Sequence, residues 1–107
     1  MATIDDFHVI EMKVGKILSA EKVPDADKLL RLMVDFGEEA PRQILSGIAE
    51  YYTPESLVGK ECPFVTNLEP RTLRGLVSYG MILAVGVGAG VALLHPDREI
   101  PPGSALR

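Results

Sequence analysis

The chain has 107 residues, 47% of them hydrophobic, which is the length of one domain and enough apolar surface for a core without covalent staples. Its lone cysteine excludes an internal disulfide and multi-cysteine metal sites, its two histidines form no Cys-His cluster, and no apolar run approaches the ~18 residues of a membrane-spanning helix. The net charge of −4 excludes a sticky polycation that would hold nucleic acid by charge alone.

The N-terminal string MATIDDF is acidic where a signal peptide would be basic. With the unpaired cysteine, this predicts a soluble cytoplasmic chain, and Met1 before an acidic cap reads as a true start, favouring a free-standing protein. Thr3, Asp5 and Asp6 are cap-forming residues ahead of Phe7, Val9, Ile10 and Met12, so a short turn that packs Phe7 is expected over residues 2–12. A first strand covers residues 12–22, with Val14, Ile17, Leu18 and Ala20 as its apolar set. Its alternation breaks around Gly15, as where a barrel strand bends or bulges. Pro24-Asp25-Ala26-Asp27-Lys28 is a turn by its chemistry. Residues 29–36 form the second strand, with Leu30, Leu32, Val34 and Phe36 on one face. Residues 37–41 close a hairpin and residues 42–45 make a third strand.

The helical candidate lies within residues 46–59. Thr53 is placed to cap, Pro54 suits the first helical position, Glu55 suits the positive end, and Gly59 stops it. Residues 61–66 are a fourth strand, in which Pro63 argues for an edge position or a strand start. Residues 73–77 and 81–85 form the fifth strand region. Residues 86–90 are a glycine-rich hairpin tip, 91–94 its return strand, and 95–107 a proline-rich tail. The tip Gly86-Val-Gly-Ala-Gly90 lacks the Lys-Ser/Thr and the helix of a phosphate loop. The order gives an all-β fold, a five-stranded Greek-key barrel of the oligonucleotide-binding (OB) type, with one short helix between strands 3 and 4 and a C-terminal β extension. Such a barrel presents the loops after strands one and four, here residues 24–28 and 68–74.

Charge is unevenly spread. Residues 13–34 hold five basic against three acidic side chains and residues 62–82 two against one, while residues 1–12 and 35–61 are acidic. The second basic segment contains NLEPRTLRGLVSYGM, residues 67–81. Pro70 stiffens its start, and Arg71 and Arg74 sit three apart; a guanidinium can give two parallel hydrogen bonds to a phosphate. Asn67 either caps the turn or hydrogen-bonds an exposed base. Tyr79 is a stacking surface if it faces out and core if it faces in. Ser78 and Met81 are three apart, so a regular strand sends them to opposite faces; both line one surface only if Gly80 permits a bulge or kink, which is the expectation. Lys28 and Arg42 read as peripheral phosphate contacts or as solvated charges. Cys62, among apolar neighbours, reads as a buried inert thiol. His8 and His95 have no carboxylate or serine at suggestive spacing, so no catalytic constellation, metal site or cofactor site emerges.

The strings Asn-Leu-x-Pro-Arg-x-Leu-Arg-Gly from Asn67 and Ser-x-Gly-Met from Ser78 resemble the signature of the tRNA-binding domain appended to methionyl-tRNA synthetases. That domain also occurs free-standing and in cytokine-like synthetase cofactors. Lys-Val-Gly-Lys-Ile at 13–17, Ala-Asp-Lys-Leu at 26–29, Ser-Gly-Ile-Ala-x-Tyr-Tyr-x-Pro-Glu at 46–55 and Pro-Asp-Arg-Glu-Ile-Pro-Pro-Gly at 96–103 extend the resemblance over nearly the whole chain. Tyr79 departs from the family, which usually has Glu or Gln there. The resemblance implies a non-catalytic module that recognises the outer corner of folded tRNA by shape, with methionyl-tRNA synthetase as a possible partner. It also implies a homodimer joined through residues 1–12 and 86–107; residues 1–12 could instead form a lid over their own barrel. It places Asn67, Arg71, Arg74, Ser78 and Met81 in the tRNA site. The alternative is an export-related chaperone of the same OB superfamily, marked by an apolar dimer groove without a basic rim. A bare dimerisation device for a synthetase is a further reading.

Overall fold

The computed structural model describes all 107 residues, Met1–Arg107. The order is α1 (Ile4–Val9), β1 (Met12–Val23), β2 (Ala26–Asp35), β3 (Arg42–Ser46), α2 (Pro54–Leu57), β4 (Glu61–Val65), β5 (Arg71–Leu73), β6 (Leu76–Ser78), β7 (Met81–Ile82), β8 (Ala84–Val87) and β9 (Gly90–Leu93). Five strands curl into an OB-type sheet in the order β3-β2-β1-β4-β7, while β5-β6 and β8-β9 are separate ribbons. No helix is long and apolar enough to cross a membrane.

The long strands follow their side-chain alternation. Leu30, Leu32 and Val34 on β2 are fully buried, and Phe36 meets Phe64 of β4 edge-on, with ring centroids 5.3 Å apart. The irregularity of β1 falls later than expected. Its register shifts between Ile17 and Ser19, which leaves Leu18 as the extra, exposed residue. Gly15 serves packing instead: a Cβ there would lie 2.5 Å from Val34 and 2.6 Å from Phe36. Pro63 faces Val14 at a position where neither needs the other's backbone. Val14 spends its N–H and C=O on Ser104 and Gly103, and the Pro63 carbonyl accepts from Leu83, so the missing donor costs the β1–β4 ladder nothing.

Three expectations are corrected. The helix between strands 3 and 4 is one turn, Pro54–Leu57, and Thr53 makes no side-chain cap. Residues 73–77 are not part of the fifth strand, because the chain reverses at Arg74-Gly75 and only Met81–Ile82 pairs with β4. Phe7 is not packed: α1 has a reciprocal capping box between Thr3 and Asp6 but buries no residue, and Ile4, Phe7, Val9 and Ile10 are exposed. At the other end, Gly103, Ser104 and Leu106 hydrogen-bond along the free edge of β1, from Val14 to Met12. Tyr52 pins the β8–β9 ribbon to the barrel by accepting from the Leu93 N–H at 3.1 Å.

Candidate nucleic-acid interface

Two hairpin tips meet at one end of the barrel. Val23 pairs with Ala26 around Pro24-Asp25, and Leu73 pairs with Leu76 around Arg74-Gly75. These tips hold the chain's two non-glycine residues of positive φ, Asp25 at 61° and Arg74 at 51°. Gly75 follows at 78°, so both central residues of the second tip have the sign that a tight two-residue β-turn demands. Asn-Gly or Asp-Gly is the usual pair there. An arginine in the left-handed region costs roughly 1–2 kcal/mol, and such strain at an exposed tip points to a use for the side chain.

Arg74 shares an open cleft of about 320 Å³ with Lys28, Asp25, Ala26 and Asp27. The structure therefore brings the hairpin arginine to Lys28, which lies in β2 and not in the turn expected over residues 24–28, since Val23 already pairs with Ala26. The three ion pairs of the molecule are Lys13–Glu11, Arg31–Glu21 and Arg42–Glu38, so Arg71, Arg74 and Lys28 are all unpaired. Beside them lies a smaller cavity of about 110 Å³, walled by Leu45, Leu68, Leu73 and Met81 and edged by Glu69 and Arg71. Ser78 and Gly80 complete it. The strand breaks at Tyr79-Gly80, between β6 and β7, which is how Ser78 and Met81 reach the same cavity. Gly80 is needed for close packing, since a Cβ would stand 3.0 Å from Ile44 and 3.1 Å from the Val65 carbonyl.

The side chains grouped by sequence divide into two sets. Arg71, Arg74, Tyr79 and Met81 are exposed, and Tyr79 faces solvent, not the core. Ser78 is buried, its hydroxyl accepting from the Leu45 N–H and donating to the Gly80 carbonyl, both at 3.0 Å. It joins β6 to β3 and shapes the cavity without offering its oxygen. Arg42, expected at the periphery, is committed inside. It makes a two-pronged contact with Glu38 at 2.9 and 2.7 Å and donates to the Thr66 carbonyl at 2.7 Å and the Tyr79 carbonyl at 3.2 Å. Its guanidinium also sits 5.4 Å from the Phe36 ring centroid. The hydrogen bond with Glu38 raises the Arg42 pKa and lowers that of Glu38. Asn67 likewise turns inward: its oxygen accepts from the Glu11 N–H at 2.8 Å and its nitrogen donates to the Val9 carbonyl at 2.9 Å. The amide holds the N-terminal segment to the loop after β4, a long-range tie that is neither the local turn cap nor the base contact expected from the sequence.

Two residues were missed. The Gln43 side-chain amide donates to the Val77 carbonyl at 2.8 Å and the Gln43 backbone carbonyl accepts from the Tyr79 N–H at 2.9 Å, so with Ser78 it bridges the seam that no strand ladder closes. Glu69 edges the small cavity, and its position inside the 67–81 stretch was the available signal. Cys62 is fully buried, with burial pushing its thiol up to about 11. His95 Nδ1 lies 2.6 Å from the Glu61 carbonyl and is taken up by it, so Cys62 and His95, although 3.6 Å apart, do not form a nucleophile–base pair.

The family model described as "Putative tRNA binding domain" matches residues 12–105. The methionine–tRNA ligase of Thermotoga maritima is 52% identical over 104 residues, which is 97% of this chain and 16% of the ligase. The chain thus spans about one-sixth of such a relative. Among solved structures, a MetRS-related protein from Pyrococcus horikoshii superposes with a TM-score of 0.93 and 39% identity, covering 100% of this chain and 98% of that one. The chaperone CsaA of Bacillus anthracis superposes with a TM-score of 0.90 and 32% identity, covering 100% and 99%.

Proposed function

The chain belongs to the tRNA-binding domain family, and from that premise we propose that it is a non-catalytic module that holds folded tRNA on the end of the barrel where the two hairpins meet. The observation that carries this is the strained, unpaired Arg74 beside Lys28, with unpaired Arg71 alongside. Guanidinium and ammonium groups grip phosphates, and the exposed Tyr79 and Met81 offer surfaces for an unstacked base. The acidic remainder of the molecule keeps the grip local, so recognition rests on fit to a folded RNA. The likeness to methionine–tRNA ligases supports methionyl-tRNA synthetase as the enzyme this module would serve, in the cytoplasm. The exposed apolar residues of α1, together with Val85 and Val87 of β8, support a homodimer joined through residues 1–12 and 86–107. The CsaA likeness supports a second reading, a chaperone of unfolded polypeptide, but an apolar peptide has no use for unpaired arginines.

A gel-shift titration with unfractionated tRNA tests the proposal. Affinity should exceed that for random single strands and fall with salt, at a log–log slope of roughly −0.7 to −0.9 per phosphate neutralised. Arg74→Ala should lower both affinity and slope. Equal affinity for the two RNAs, or indifference to salt, would falsify the reading; suppression of polypeptide aggregation without tRNA binding favours the chaperone.

A further inference from the structure

The small cavity beside Arg71 is walled where the other surface clefts are open. Leu45, Leu68, Leu73 and Met81 supply its sides, and about 110 Å³ is well below the roughly 300 Å³ of a drug-sized pocket. Its occupant is one flat ring or one side chain. Leu68 and Met81 are 42% and 46% exposed, so apolar surface meets water with nothing in the chain covering it. Arg71 and Glu69 share the cavity, and neither is engaged in an ion pair. Glu69 is the telling member. A carboxylate at a phosphate-binding edge repels the backbone, and it is favourable only where the ligand brings hydrogen-bond donors. In RNA those donors are ribose 2′-hydroxyls, one per internal nucleotide, and base-edge N–H groups, which unstacked bases expose; only a base edge sets two donors side by side for the two oxygens of a carboxylate.

Resting on the tRNA-binding reading, we propose that this cavity receives one unstacked guanine. Its ring lies between Leu68 and Met81, its N1–H and N2–H donate to the two Glu69 oxygens, and its phosphate meets Arg71. Guanine's pairing edge sets two donors side by side, matching a carboxylate's two acceptors. Adenine and cytosine set one amino group beside an acceptor nitrogen that the carboxylate repels. Uracil flanks its one donor with carbonyls. The paired charges of Glu69 and Arg71 fit a nucleotide, which carries donors and an anion, better than an apolar side chain of a polypeptide.

The test is fluorescence anisotropy on the full chain with uridine pentamers whose central base is G, A, C or U, alongside whole tRNA. The central G should bind roughly tenfold tighter than U, the order one bidentate base contact supplies. Glu69→Gln keeps the size but one acceptor fewer, and should bring the ratio within about twofold while leaving the salt slope for tRNA unchanged. Arg74→Ala should weaken all four pentamers alike and keep the ratio. Equal affinities, or no pentamer binding, by a chain that still binds tRNA overturns the guanine cavity alone, as does a G preference that survives Glu69→Gln. Displacement of the G pentamer by an unfolded polypeptide at equal concentration also overturns it. Failure to bind tRNA at all overturns the functional reading beneath it.

Discussion

The Asn67 side-chain oxygen accepts from the Glu11 backbone N–H at 2.8 Å, tying the loop that follows β4 to a segment 56 residues earlier in the chain. The same amide donates to Val9, and Thr66 adds a hydroxyl bond to the Glu11 carboxylate at 2.7 Å. Because α1 buries nothing of its own, these bonds and the Thr66–Glu11 backbone contact are what orient it. Asn67→Ala is expected to cost about 1–2 kcal/mol locally. Hydrogen exchange at the Glu11 amide should accelerate and residues 1–10 should become protease-sensitive, with barrel amides unchanged. Asn67→Asp keeps the Glu11 bond and should free Val9 alone. Unaltered exchange at Glu11 in the alanine variant would show that the amide is not the tether.

Arg42 and Arg71 should separate cleanly by stability. Arg42→Ala removes a two-pronged carboxylate contact and orphans the carbonyls of Thr66 and Tyr79, for an expected loss of about 2–3 kcal/mol in chemical denaturation. Arg71→Ala touches no internal partner and should stay within about 0.5 kcal/mol of the parent. If the site lies at the hairpins, Arg71→Ala weakens tRNA binding at unchanged stability. Equal destabilisation by the two substitutions would contradict the division of roles.

That division was invisible in the chain, and the reason is physical. Charge type is local, whereas partners are not: what confines Arg42 is Glu38 across a tight turn and two carbonyls 24 and 37 residues away. The second strand was legible because strict alternation of Leu30, Leu32, Val34 and Phe36 leaves one register that buries them. The β5–β6 hairpin was not, since its turn is Arg-Gly where Asn-Gly would have announced it. Leu73, Leu76 and Val77 then read as one apolar strand. The Ser78–Met81 kink was readable, because three-residue spacing and a glycine leave few ways to reach one surface.

Acid should loosen the same network. The Arg42 hydrogen bond holds the Glu38 carboxyl below the ordinary 4.5, and the Thr66 hydrogen bond, helped by Lys13, does so for Glu11. Carboxylates depressed in the folded state contribute stability that is complete above the unfolded-state value and is lost as pH falls through the folded-state value. Denaturation midpoints should therefore decline below about pH 4.5. Glu38→Gln should be weaker than the parent at neutral pH and flatter in the acid limb. Both carboxylates are more than one-third exposed, so the effect is screened and should shrink in 1 M salt, to the ~3 Å Debye length there. A parallel acid limb in Glu38→Gln would remove that residue from the account.

Arg74 offers the sharpest trade between fold and ligand. Its φ of 51° beside Gly75 at 78° suits asparagine, whose short side chain tolerates the left-handed region. Arg74→Asn should therefore raise stability, by about 0.5–1 kcal/mol in denaturation. Arg74→Gly should gain less, since glycine relieves the same strain but loosens the unfolded chain by about 0.5–1 kcal/mol relative to alanine. Both variants lack the guanidinium that faces Lys28 across the cleft, so tRNA affinity should fall and its salt slope lessen by roughly 0.7–0.9 for each phosphate no longer neutralised. Stability rising while affinity falls would mean that the turn carries its strained arginine for the ligand. Stability rising with affinity unchanged would instead remove Arg74 from the interface and leave the strain unexplained.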